Sequence, residues 1–148
     1  MQGYGKRILI IDDANDVRYL TGMALSDAGY NVYSASDGVE GLEAMSKRRF
    51  DVVLVDYHMP RLNGLQFLET SRSLWPDTPI ILMSGDHRFY GQKDLLEGTF
   101  ACVEKPFELP HLIELIGCAC RKAPQYELAR MTAPRFSYLG SVPFLAGC

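Results

Sequence analysis

The chain has 148 residues, 47% hydrophobic and 22% charged, enough apolar material for one compact domain with its own core. Its net charge of −3 gives no basic footprint for nucleic acid, so DNA or RNA contact by this chain alone is not expected. No run approaches the roughly 20 apolar residues of a membrane helix, and Met1 to Lys6 hold no apolar stretch of a signal peptide. The expectation is a cytoplasmic protein with no membrane association, its four cysteines (Cys102, Cys118, Cys120, Cys148) reduced and without zinc-ligand spacing.

Arg7 to Ile11 is a continuous β-branched run, the pattern of a strand buried on both faces. Val17, Leu20, Thr21, Ala24, Leu25 and Ala28 then recur at helical spacing, and Gly29 stands where a helix ends. Asn31 to Ala35 reads as a strand, Gly38 to Lys47 as a helix, and Asp51 to Asp56 as the most apolar strand. Pro60 and Gly64 mark a loop before a helix over Gly64 to Leu74, with Leu65, Leu68 and Leu74 on one side. Pro76 and Pro79 bound the next turn, Ile80 to Met83 forms a strand ending at Ser84, and a short helix is expected around Phe89 to Glu97. A brief strand at Cys102 and Val103 precedes a closing helix over Leu109 to Arg121. Alternating strands and helices predict an α/β fold, a parallel sheet covered on both faces, with ligands beyond the carboxyl ends of its strands.

The polar residues just past those strands are Asp12 and Asp13, Asp56, Ser84 and Lys105. Three carboxylates on one rim repel one another unless a cation sits among them, and oxygen ligands with a few waters suit Mg²⁺. A lysine can neutralise a phosphoryl oxygen and a serine hydroxyl can donate to another. Together these parts describe phosphoryl transfer to a carboxylate, which is ionised at neutral pH and needs no general base.

Asp12 and Asp13, Asp56 followed by Met59, Pro60 and Gly64, then Ser84 and Gly85, then Lys105, Pro106 and Phe107 resemble the receiver domain of two-component response regulators. The resemblance covers roughly residues 6–122. It implies a flavodoxin-like five-stranded parallel sheet in the order 2-1-3-4-5 with five helices, and a cis bond before Pro106. It further implies that Asp56 is the phosphoacceptor, that Asp13, Asp56 and the backbone carbonyl of His58 bind Mg²⁺ directly, and that Asp12 holds it through water. Ser84 would be the switch hydroxyl and Lys105 the cation paired with the phosphoryl group. The implied partners are a sensor histidine kinase or phosphotransfer protein and a downstream protein bound on the face of the fourth helix, fifth strand and fifth helix. Homodimerisation stays open.

Taken singly these residues have plainer readings. Asp13 is a candidate N-cap for the first helix, Ser84 a turn residue, Lys105 a solvated lysine, and the His58 side chain a solvent-facing group unless it, or Asp86, tunes hydrolysis. Cys102 departs from the family, which usually has Tyr or Phe three residues before the lysine. A cysteine cannot perform that aromatic rotamer switch, so signalling uses other changes on the same face or another aromatic such as Phe100. The segment 123–148, interrupted by proline and glycine yet apolar, is too short for a winged-helix output module, which predicts a stand-alone receiver or a piece of a longer protein. The competing functions are a Mg²⁺-dependent phosphohydrolase with an aspartyl-phosphate intermediate, a degenerate receiver acting by binding alone, and a flavin module. The adjacent pair Asp12 and Asp13 lacks the spacing of the first, and its acidity would repel the flavin phosphate of the last.

Overall fold

The computed structural model describes residues 5–85 and 98–121. Its strands are β1 (Arg7–Ile11), β2 (Asn31–Ala35), β3 (Val52–Asp56), β4 (Ile80–Ser84) and β5 (Ala101–Glu104). Its helices are α1 (Asn15–Asp27), α2 (Gly38–Lys47), α3 (Gly64–Leu74) and α4 (Leu109–Arg121). All strands pair in parallel in the order β2-β1-β3-β4-β5, as expected. The helix expected around Phe89 to Glu97 lies outside the described residues, so α4 is the fifth helix of the expected order.

Alternate strand residues feed two apolar layers, as the period of two requires. Ile8, Ile10, Val52, Leu54, Ile81 and Met83 pack with Leu25, Tyr30, Leu112 and Ile116 on the face covered by α1 and α4. Leu9, Ile11, Val53, Val55, Ile80 and Leu82 pack with Met45, Phe67 and Leu68 on the face covered by α2 and α3. Each such side chain contributes about 1.5–3 kcal/mol when fully buried, which explains why the central strands are apolar throughout.

Two helical faces differ from expectation. Leu20 is 60% exposed while Thr21 and Leu25 are buried, so the inner stripe of α1 is narrower than its apolar content suggests. On α3 the buried residues are Gly64, Phe67, Leu68 and Ser71, and Leu74 lies in the open. α1 starts at an N-cap, Ala14, that has no side-chain hydrogen bond; Asp13 does not cap it, and the Asp12 carboxylate instead accepts from the Ala14 amide at 2.9 Å. Gly29 follows the helix at φ +96°, the left-handed position expected of a terminating glycine.

Candidate functional site

Parallel register aligns the carboxyl ends of β1, β3, β4 and β5. Ile11 pairs with Val55, Asp56 with Met83, and Ser84 with Glu104. The ladder continues one step further, with the Tyr57 amide donating to the Met83 carbonyl at 2.8 Å and the Lys105 amide to the Ser84 carbonyl at 2.7 Å. Asp12, Asp56, Ser84 and Lys105 therefore share the rim that the sequence assigned them.

Among the described residues the geometry is that of a compact acidic site with one cation, Lys105, in it. One carboxylate oxygen from each of Asp12, Asp13 and Asp56 lies within 4.8 Å of the others. Asp12 and Asp56 are buried, whereas Asp13 is exposed at the mouth. Lys105 Nζ sits 2.7 Å from Asp12 Oδ2 and 3.5 Å from Asp56 Oδ1, neutralising part of the cluster. Burial pushes the Asp56 carboxyl up to about 6; Lys105 opposes that rise, Asp12 reinforces it, the His58 amide opposes it by donating a hydrogen bond, and Asp13 adds a further push upward. Three hard oxygen donors with a surplus of negative charge fit Mg²⁺ better than a softer ion.

Ser84 is fully buried at the end of β4, and the Lys105–Pro106 bond is cis. The His58 ring lies edge-on to the Tyr57 ring, with centroids 4.8 Å apart. Cys102 is 1% exposed in the α2/α3 layer, where burial raises its thiol to about 12. Phe100 is packed in the opposite layer, so it does not replace the missing aromatic on the Cys102 side of the sheet. Asp86 and the segment 123–148 lie outside the described residues.

Three residues that sequence reading did not single out support this rim. Arg18, one turn into α1, donates to the Asp12 carbonyl and to Asn15 Oδ1, both at 2.6 Å. Asp37 caps α2 through the Glu40 amide, and Arg61, in the loop after β3, donates to the same carboxylate. An aspartate followed by glycine ahead of a helix was a readable capping signal for Asp37. Nothing in the sequence marks the backbone of Arg61, which has φ +66°.

The family model for the response regulator receiver domain matches residues 8–117. Response regulator MprA of Mycobacterium leprae is 36% identical over 134 residues, a match spanning 90% of this chain and 59% of that protein. MprA of Mycobacterium tuberculosis is 34% identical over 134 residues, covering 90% and 58%. The chain thus spans under two thirds of the length of these curated relatives. Among solved structures, a CheY-like receiver domain protein from Methanospirillum hungatei is similar with TM-score 0.74 and 30% identity, over 84% of this chain and 98% of that one. Response regulator TrrA from Thermotoga maritima, solved with Mg²⁺ and BeF, gives TM-score 0.72 and 28% identity over 77% and 98%.

Proposed function

The chain belongs to the response regulator receiver family, and on that premise we propose that it accepts a phosphoryl group on Asp56 from a sensor histidine kinase or a phosphotransfer protein. The observation that carries this reading is the meeting of Asp12, Asp13 and Asp56 within 4.8 Å, with Lys105 reaching two of the three. An Asp56 oxygen bonds to phosphorus as the bond between phosphorus and the donor nitrogen breaks, and that nitrogen departs with the electron pair. Asp13, Asp56 and the His58 carbonyl would hold Mg²⁺, with Asp12 behind a water. The bound ion supplies charge neutralisation for the transferred oxygens. Lys105 exchanges its carboxylate contacts for a phosphoryl oxygen, and Ser84 donates its hydroxyl to another. The TrrA complex with Mg²⁺ and BeF supports this use of the site.

The phosphorylated state biases an equilibrium of the face that includes β5 and α4, where a downstream protein binds. Because Cys102 stands where the family usually has an aromatic residue, that bias is carried by backbone and packing changes next to Ser84 rather than by a ring at position 102. The receiver spans 6–122, acts in the cytoplasm, and promotes its own phosphorylation and dephosphorylation. No helix of the described residues is long and apolar enough to cross a membrane.

Intact-mass spectrometry after incubation with acetyl phosphate tests the assignment. The expected result is a single hydroxylamine-labile phosphoryl adduct that requires both Mg²⁺ and Asp56. An adduct that persists in Asp56→Ala, or forms equally in EDTA, overturns it.

A further inference from the structure

The connection between β3 and α3, residues 57–63, is held at its neck and at its tip by separate contacts. At the neck, the Gly64 amide donates to the Tyr57 carbonyl at 2.9 Å, and a Cβ at position 64 would come within 2.7 Å of Tyr57 Cα. At the tip, Leu62 lies so close to Gly38 that a Cβ on that glycine would meet the Leu62 carbonyl at 2.8 Å. The neighbouring residues on each side, Arg61 and Asp37, form an ion pair: Arg61 Nε is 3.1 Å from Asp37 Oδ2, and a terminal guanidinium nitrogen bonds the same oxygen. The other oxygen, Oδ1, accepts from the Glu40 amide at 2.8 Å. One carboxylate is thus divided between the start of α2 and the loop that follows the phosphoacceptor strand. The Glu40 amide, and after it Arg61, hold its pKa below the usual carboxylate value.

Arg61 is an expensive residue for its backbone. At φ +66° a side chain with a Cβ is strained where glycine is not. The arginine is 60% exposed and fills no core, so the feature it adds at this position is the pair with Asp37.

We propose that the Asp37–Arg61 pair is a clamp that fixes the β3–α3 connection, and with it the His58 carbonyl, against Asp56. Both are positioning residues; neither touches the reacting atoms. The inference rests on the reading of Asp12, Asp13, Asp56 and His58 as a Mg²⁺ site. It makes a prediction opposite in sign to simple electrostatics for one of the two partners. By charge alone, losing the Arg61 cation tightens Mg²⁺ binding and losing the Asp37 anion weakens it. A clamp is lost whichever partner goes, so both losses weaken binding.

Calorimetric titration of the metal-free chain with Mg²⁺ separates the two. Arg61→Gly keeps the turn, Asp37→Asn keeps a capping oxygen for Glu40, and Arg61→Lys restores a cation at the position. The expected result is a loss of affinity of about threefold in Arg61→Gly and in Asp37→Asn, the scale on which an exposed ion pair contributes. The double variant should lose no more than either single one, and Arg61→Lys should fall between wild type and Arg61→Gly. Arg61→Gly binding Mg²⁺ as tightly as wild type or more so overturns the clamp, as do additive losses in the double variant. A wild-type chain that binds no Mg²⁺ overturns the cation-site reading and the clamp with it.

Discussion

Asp56 is ionised at neutral pH at a cost. Its carboxyl titrates near 6 in the folded chain against 3.8 as the ordinary value, chiefly because burial removes it from water. A folded-state pKa above the unfolded one means stability that is complete below about pH 4 and is lost as pH rises through 6, up to about 3 kcal/mol from this group. In EDTA, Asp56→Asn should therefore unfold at higher urea than wild type at pH 7.5, and the gap should close toward pH 4. A wild type as stable as the variant at pH 7.5 would show that Lys105 fully compensates the buried charge. Cys102 shows the same effect of burial, here a thiol kept protonated and inaccessible. Iodoacetamide at pH 8 should leave it unmodified in the native chain and label it in urea, and rapid native labelling would expose a redox-active sulfur instead.

At the scale of elements, the β3–α3 connection shows how backbone closeness enforces a site. A Cβ at Gly64 would meet Asp56 O at 2.9 Å as well as Tyr57 Cα, and neither backbone atom can move without moving the end of β3. Gly64→Ala should destabilise the fold by about 1–3 kcal/mol and slow acetyl phosphate labelling; wild-type stability and labelling would show a loop freer than its contacts indicate. β1, β3 and β4 and the rim residues after them were legible beforehand because continuous apolar runs rich in β-branched residues read as strands buried on both faces. The inner faces of α1 and α3 were less so. Leu20 and Leu74 match the helical period yet lie outside, since whether a periodic apolar residue is covered depends on which neighbour packs there. The alternative of Asp13 as a cap for α1 is not realised: the N-cap is Ala14, and it is Asp12 that turns back to the Ala14 amide. The Asp37–Arg61 pair was invisible because it joins residues 24 apart through a left-handed backbone that no residue type announces.

At the scale of the whole molecule, among the described residues a β-sheet with two apolar layers supplies rigidity, and the acidic cluster sits on one rim. Occupying that rim should stabilise the entire domain, because the three acidic residues hang from two strand ends, those of β1 and β3. At ten times its dissociation constant Mg²⁺ should add about 1.4 kcal/mol, seen as a rise in Tm that EDTA reverses and that Asp13→Asn diminishes. A Tm indifferent to Mg²⁺ would argue against a divalent-cation site.

The phosphoacceptor itself can be located chemically. Borohydride reduces an aspartyl phosphate to homoserine, which peptide mass spectrometry places to the residue after labelling with acetyl phosphate and Mg²⁺. Homoserine at position 56, and at no other aspartate, is the expected result; homoserine at Asp12 or Asp13, or none in a chain that has taken up phosphate, would contradict it.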